Sequence, residues 1–242
     1  VDTRREKNCR QGEKSAKQIT KSSPRHNGGD TMISESLYEN YLSVLLAGKR
    51  SECNQIVQEL LDSDIHLKHL YSQLFQRSMY KVGELWETNH ISVANEHLAT
   101  SITEGLLNLC YPAVFGTERI GKTAVISCSA NEFHQVGGKM VADILELNGW
   151  DGYFLGANTP PEDMTQFIQE KQPDLVGLSL SILSNIDQLK TSIEAVKGDF
   201  PNMDLIIGGQ AFRWGDTDIV KRYGGTEYIP TLDELEKLIK TF

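Results

Sequence analysis

A histidine in a short glycine-containing segment has the spacing of a metal ligand with a supporting carboxylate. The segment is Glu132-x-His134-x-x-Gly137, and it follows the apolar run 123–128. His134 can present one imidazole nitrogen to a metal ion while Glu132 accepts a hydrogen bond from the other, which fixes the tautomer and raises the ligand's basicity. Gly137 lets the backbone approach a bulky ligand closely. Taken alone, the segment equally fits a histidine that begins a helix beside an acid.

Two further groups of small residues follow later apolar runs. Ser179 and Ser181 end one run, where their small hydroxyl side chains leave room for a flat group and offer hydrogen bonds. Gly208 and Gly209 end the next run, and paired glycines let the backbone lie against a planar ligand. Each group alone also fits an ordinary strand end or a tight turn.

The apolar runs that precede these groups alternate with helical patterns from residue 122 onward. This alternation predicts a parallel sheet with helices on both faces, in a flavodoxin-like or Rossmann-like doubly wound α/β fold with five strands. In such folds ligands bind at the carboxyl ends of the strands, where all three groups fall. We expect strands near 123–128, 152–155, 174–179, 204–208 and 227–229, and helices near 134–148, 161–170, 185–196 and 232–239.

The preceding segment, 34–115, has apolar residues at helical spacing instead. Gly48 ends a first helix, Ser51 is expected to cap a second, a third covers 66–87, and a fourth begins near Ser92. Four helices with short links predict a small up-and-down four-helix bundle. The expected organisation is a polar, disordered tail at 1–31, a helical cap at 32–118 and a Rossmann-like domain at 120–242.

Composition argues against several classes of protein. The formal net charge of −9 over 242 residues disfavours a large nucleic-acid footprint, which needs clustered Lys and Arg. No apolar run reaches the roughly 18 to 20 residues that span a bilayer, and no apolar signal region begins the chain, so a cytoplasmic location is expected. The four cysteines form no CxxC pair, which disfavours a zinc site built on thiolates. Without a nucleophile–base set or a GxxxxGK loop, we expect a binding protein rather than an enzyme.

Taken together, the three groups resemble the cobalamin-binding domain of methionine synthase, methylmalonyl-CoA mutase and related proteins. That family carries Asp-x-His-x-x-Gly, then Ser-x-Leu, then Gly-Gly, and the resemblance covers about residues 120–242. It implies that His134 is the lower axial ligand of cobalt in place of dimethylbenzimidazole. It also implies that the nucleotide tail of the cofactor enters a slot lined by Ser179 and the glycines. Glu132 stands in place of the family's Asp, and Ser181 stands in place of its Leu unless Ser181-Ile-Leu183 is the working copy of that motif. These departures are expected to modify the histidine–carboxylate bond and the binding of the tail.

The bundle carries a second pattern, in which Trp86 is followed by nine residues and then by Glu96-His97. A tryptophan is a broad apolar plate that can lie over a flat cofactor, although core packing also accounts for it. The passage resembles the cap bundle of the CarH-type photoreceptor repressors, which use adenosylcobalamin to control carotenoid genes. The resemblance implies that Trp86 covers the adenosyl group, that Glu96 and His97 help to hold it, and that the bundle moves when light breaks the cobalt–carbon bond.

Two features differ from that repressor family. The family has a histidine directly after the tryptophan that captures the upper face of cobalt, whereas this chain has Glu87. The usual histidine–cobalt–histidine adduct is therefore not expected, and His90 and His97 are the nearest alternatives. The repressors also carry a helix-turn-helix DNA-binding domain, and residues 1–31 are too short and unpatterned to form one. No direct contact with nucleic acid is expected.

The sequence thus predicts a sensor in which adenosylcobalamin lies between the cap and the Rossmann-like domain. The protein would form a homo-oligomer or contact a regulatory protein partner, and loss of the upper alkyl group would change that association. The alternative is a corrinoid carrier of a methyltransferase system, which would hold methylcobalamin or another corrinoid. A third interpretation is a domain that binds another tetrapyrrole such as haem.

Overall fold

The computed structural model describes residues 33–63, 65–215 and 217–242. The predicted tail at 1–31 lies outside these residues. In the described part, the helical half comes first and comprises α1 (Glu35–Leu46), α2 (Arg50–Asp62), α3 (Leu67–His69), α4 (Arg77–Glu87), α5 (Val93–Leu107) and the short α6 (Tyr111–Val114). A π-helical segment, Leu70–Gln76, joins α3 to α4 without interruption. The predicted third helix is therefore one continuous unit with a wide turn inside it.

The ends of these helices have identifiable causes. Gly48 adopts a φ of +69° two residues after the end of α1, a conformation that glycine reaches without strain. Ser92 begins α5 in a capping box with Asn95. The expected cap at Ser51 is wrong, because α2 begins one residue before it and the N-cap position is Lys49, whose side chain makes no capping hydrogen bond.

The second half is a parallel sheet with the strand order β2-β1-β3-β4-β5. The strands are β1 (Thr123–Cys128), β2 (Asp151–Phe154), β3 (Leu175–Ser179), β4 (Leu205–Gly208) and β5 (Thr226–Tyr228). The helices between and after them are α7 (Val136–Leu147), α8 (Pro161–Lys171), α9 (Ile186–Asp199) and α10 (Leu232–Ile239). This order is that of the flavodoxin-like doubly wound fold, so the predicted fold class is confirmed.

Two hydrophobic clusters show how the halves are joined. One holds the cores of α8 and α9 against one face of the sheet. The other runs without a break from the bundle through α7 and α10 to the opposite face, and it includes Tyr41, Phe75, Ile144, Ile206 and Leu235. The bundle therefore covers the α7 and α10 side of the sheet. No helix in the described ranges is long and apolar enough to cross a bilayer.

The sheet register brings the predicted ligand groups together. Cys128 pairs with Ser179, and Ser179 pairs with Gly208, at the carboxyl ends of β1, β3 and β4. Helix α7 begins at Val136 rather than at the expected His134. The reason is local, since the backbone N–H of His134 donates to the Glu132 side chain and Gln135 takes the N-cap position.

Candidate functional site

His134 lies in the loop between β1 and α7, where the Glu132 carboxylate holds it. Its Nδ1 is 2.6 Å from Oε1 of Glu132, and the same oxygen accepts the backbone N–H of His134 at 2.8 Å. Oε2 of Glu132 accepts the backbone N–H groups of Ser181 at 2.8 Å and of Ile182 at 3.0 Å. With Nδ1 bonded to the carboxylate, Nε2 is the nitrogen through which the ring can bind a metal ion. This is the arrangement that the spacing of the two residues predicts.

The charge of this pair follows from its contacts. Glu132 is completely buried, and burial by itself raises the pKa of a carboxyl. The hydrogen bonds from the imidazole and from the backbone of His134, Ser181 and Ile182 more than offset it, so the pKa of Glu132 lies below its usual value. The same hydrogen bond outweighs burial at the imidazole and raises the pKa of His134. Glu132 is thus an anion that orients the ring and strengthens Nε2 as a ligand.

A cleft of about 1380 Å³, measured to its open mouth, separates the carboxyl edge of the sheet from the bundle. Eight of the ten residues singled out from the sequence line it, namely Trp86, Glu96, His134, Gly137, Ser179, Ser181, Gly208 and Gly209. Glu132 lies behind His134, and His97 lies outside the lining. The lower and upper groups of the predicted site therefore share one cleft.

The upper wall comes from α4 and α5. Trp86 is half-buried there, and Glu96 is buried with its carboxylate bonded to Thr100 Oγ1 at 2.8 Å. His97 Nδ1 is 2.5 Å from the other Glu96 oxygen, but the His97 side chain is 72% exposed and reaches the cleft only through Glu96. Glu87, in contrast, lines the cleft.

The two histidines considered for the upper face are not in the cleft. His90 is exposed and 2.8 Å from Thr88 Oγ1. Like His97, it is absent from the lining. In this structure the carboxylates that line the upper wall are those of Glu87 and Glu96.

Glycine occupies two positions of the lower wall for different reasons. Gly209 has a φ of +119°, and a Cβ there would lie 2.0 Å from the carbonyl oxygen of Leu180, so the fold itself requires glycine. A Cβ on Gly137 would meet only Ser179 Oγ, at 4.0 Å, and would otherwise project into free space. Gly137 therefore leaves open a volume that a ligand can fill.

The chemistry of the cleft fits a corrinoid. Apolar side chains line the part between α7, α10 and the sheet, namely Val136, Met140, Ile206, Leu232 and Leu235. A flat aromatic base on a nucleotide tail would be desolvated there at little cost. His134 offers one nitrogen, which would suffice to hold the metal of a cofactor whose macrocycle supplies its other ligands.

Four residues of the upper wall were not predicted from the sequence. Gln76, Met79, Tyr80 and Gly83 also line the cleft, at helical spacing before Trp86. That spacing was a usable signal, because residues three and four apart share a helix face.

The two halves are in contact at the end of the cleft where Tyr80 and Arg213 lie. The Arg213 guanidinium lies 4.1 Å from the centre of the Tyr80 ring, and Gln76 donates to the Tyr80 hydroxyl at 3.1 Å. Burial raises the pKa of Tyr80. Nothing in the sequence signals the Arg213 contact, because the two residues are far apart in the chain.

Two family models match the chain, and both are described as a B12 binding domain. One covers residues 122–229, which include His134, and the other covers residues 37–111, which include Trp86 and Glu96. The matched segments are therefore the two halves that form the cleft. This match favours a corrinoid over the haem interpretation.

Curated relatives come from two groups. The HTH-type transcriptional repressor CarH of Myxococcus xanthus is 26% identical over 181 residues, which are 74% of this chain and 59% of the repressor. The chain thus spans less than two thirds of the repressor's length. Dimethylamine corrinoid protein 3 of Methanosarcina acetivorans is 20% identical over 182 residues, which are 72% of this chain and 83% of that protein.

Among solved structures, the Methanosarcina barkeri monomethylamine corrinoid protein superposes with a TM-score of 0.75. The identity is 12%, and the match covers 87% of this chain and 100% of that one, which shows a common fold. With both halves of the cleft matched by the same family description and His134 set against a buried carboxylate, the chain belongs to the family of proteins with B12 binding domains, related to CarH and to the corrinoid proteins.

Proposed function

We propose that this chain is a light-sensing regulatory protein that holds adenosylcobalamin between the bundle and the sheet. The observation that carries the proposal is that Trp86 and Glu96 line the same cleft as His134. An indole above an imidazole site provides an apolar cover for a large upper group. A protein that handled only a methyl group would need less cover.

Each wall has its own task in this proposal. His134 would hold the cobalt of the cofactor through Nε2, and Glu132 fixes the ring. Ser179, Ser181, Gly208 and Gly209 line the path of the nucleotide tail. Trp86 and Glu96 enclose the adenosyl group, and His97 holds Glu96 from outside. A bound adenosylcobalamin supplies the cobalt–carbon bond that light breaks.

The contacts between the halves make a change in the upper wall consequential. Lys68 of the bundle pairs with Asp233 at 2.6 Å and with Glu236 at 2.7 Å, both on α10. Tyr71 donates to Asp143 of α7 at 2.8 Å. A ligand shifts an equilibrium only if it contacts the two states differently, and removal of an adenosyl group beneath Trp86 meets that condition. The proposed output is a change of oligomeric state or of a regulatory protein partner.

The second candidate is a corrinoid carrier of a methyltransferase system. Two side chains favour it, because Phe133, next to His134, is 65% exposed and Leu183 is 47% exposed. Exposed apolar residues close to a ligand loop suit docking of a partner enzyme. The relatives named dimethylamine corrinoid proteins are compatible with this role.

The test is an absorption spectrum of the protein loaded with adenosylcobalamin in the dark, before and after illumination, together with size-exclusion chromatography. The sensor predicts a spectral change and a change in elution volume. His134→Ala should remove the lower-ligand signature. His90→Ala is the matched control, because His90 is exposed and outside the cleft.

Trp86→Ala separates the two candidates. For the sensor, this variant should lose adenosylcobalamin on desalting faster than it loses methylcobalamin. Equal retention of both cofactors by wild-type and variant, with identical elution in light and dark, would contradict the sensor and leave the carrier. A wild-type protein that keeps neither corrinoid would contradict both.

A further inference from the structure

A stripe of polar residues runs along one face of α5 and past its end. Glu96, Thr100, Glu104 and Asn108 are spaced four residues apart, so they lie on one side of the helix. The first two line the cleft. The last two face the beginning of α7, beyond the cleft. The stripe therefore connects the upper wall to the element that follows the His134 loop.

Two hydrogen bonds join this stripe to α7. Gln135 Nε2 donates to Glu104 Oε1 at 3.0 Å, and Lys139 Nζ donates to Asn108 Oδ1 at 2.8 Å. Gln135 follows His134 directly and occupies the N-cap of α7, whereas Lys139 lies one turn later. The first bond thus acts at the residue adjacent to His134.

We propose that Glu104 and Gln135 are positioning residues that couple the upper wall of the cleft to the lower ligand His134, an inference that rests on the proposed function. Helix α5 carries both Glu96 and Glu104, so a displacement of the upper wall moves Glu104 with it. The displaced Glu104 either pulls Gln135 along or releases it.

The surroundings of the loop make this coupling local. Glu132 holds the His134 ring and is itself bonded to the backbone that follows β3. The loop is therefore fixed on the side that faces the sheet. On the other side, the hydrogen bond from Gln135 to Glu104 connects it to the bundle, and we call this bond the tie. A change in that tie alters how Nε2 is presented, whereas a change at Lys139 acts on a helix that its own hydrogen bonds keep rigid.

The test exchanges the amide and the carboxylate between positions 135 and 104. Gln135→Glu places two carboxylates against each other and should break the tie. Glu104→Gln combined with Gln135→Glu restores an amide and a carboxylate in exchanged positions. Since a carboxylate stands at position 135 in both proteins, recovery in the double variant can only come from the pair.

The readout is the electron paramagnetic resonance spectrum of the cobalt(II) form bound to protein labelled with ¹⁵N. Axial coordination by a protein nitrogen appears as a doublet, which distinguishes His134 from the unlabelled base of the cofactor. We expect the equilibrium between histidine-bound and histidine-free cobalt to shift by about tenfold in Gln135→Glu, the lower end of the cost of losing an outer partner of a ligand. The double variant should return to the wild-type spectrum.

Lys139→Gln is the matched control, because it weakens the neighbouring bond and should leave the doublet unchanged. Glu104→Ala removes the tie without adding a charge and serves if Gln135→Glu fails to fold, as judged by its thermal midpoint. Equal spectra for wild-type, Gln135→Glu and Glu104→Ala, or a double variant as impaired as Gln135→Glu, would overturn the coupling alone. A wild-type spectrum without the doublet would overturn the proposed function and the coupling with it.

Discussion

The two walls of the cleft are built in different ways. In the lower wall, Glu132 is completely buried, and three of the groups that donate to it are backbone N–H groups of the loops that follow β1 and β3. In the upper wall, the buried Glu96 is held by two side chains of its own helix, one of them the exposed His97. Backbone groups of two loops at the edge of the sheet hold the first carboxylate, and side chains hold the second.

This difference indicates which wall can respond to the cofactor. A carboxylate held by backbone hydrogen bonds resists displacement more than one held by side chains. A wall on packed helices can shift by small displacements without breaking a sheet. The lower wall therefore suits permanent binding, and the upper wall suits a change of state.

The largest contrast is expected from one substitution made in each half. Gly209→Ala would place a Cβ against the Leu180 carbonyl at positive φ, so it should lower the free energy of unfolding by about 4 kcal/mol or more. Gly105→Ala lies on α5 with open space around it, and it should raise the free energy of unfolding by about 0.5 to 1 kcal/mol. Urea titrations measure both. Similar effects of the two substitutions would contradict the difference in rigidity between the lower and the upper wall.

The two carboxylates provide the next test. Glu132→Ala leaves buried backbone donors without partners and should cost about 3 kcal/mol of unfolding free energy. It should also weaken corrinoid binding by about 10- to 100-fold. Glu96→Ala should cost only about 1 kcal/mol, since its lost partners can turn to solvent. Calorimetric binding and thermal unfolding of both variants decide whether the lower wall is the more rigid one.

The contact between Tyr71 of the bundle and Asp143 of α7 lies in the seam, the boundary between the two halves, and it should make the free energy of unfolding depend on pH. Burial raises the pKa of Asp143 from 3.8 to about 6, while the hydrogen bond from Tyr71 and the charge of Lys139 oppose it and Glu146 adds to it. Because the folded pKa exceeds the unfolded one, the stabilising contribution is complete below about pH 4 and is lost as the pH rises through about 6.

The corresponding measurement compares wild-type with Asp143→Asn, whose amide oxygen can still accept from Tyr71. The free energy of unfolding of wild-type relative to the variant should fall by about 2 to 3 kcal/mol between about pH 4 and pH 7. Asp199→Asn, on an exposed carboxyl, controls for the change of charge. A flat difference for Asp143→Asn would mean that the seam admits solvent.

The lower wall could be predicted from the sequence more completely than the upper one. The strands follow local apolar runs, and parallel strands bring their carboxyl ends to one edge, so His134, Ser179 and Gly208 could be placed together. The bonds from Ser181 and Ile182 to Glu132 could not be predicted, because they join residues about 50 apart in the chain through backbone geometry.

The upper wall depends on how the helices are rotated against the sheet, which periodicity alone leaves open. Trp86 and Glu96 were predicted from a resemblance, whereas Tyr80 was missed despite its spacing. His97 was expected beside the cofactor, and the structure places it outside the cleft. A pattern identifies which residues share a helix, but only packing decides which of them face the ligand.

The smallest expected effect belongs to His97, and it probes the mobility of the upper wall most directly. With its side chain 72% exposed, His97→Ala should change the free energy of unfolding by less than about 0.5 kcal/mol and leave corrinoid retention nearly unaltered. Thr100→Val, which removes the other partner of Glu96 inside the cleft, should reduce retention more. If His97→Ala instead impairs retention as strongly as Glu96→Ala, then the hydrogen bond from His97 is what keeps Glu96 in place at the cofactor, and the upper wall is held from outside the cleft.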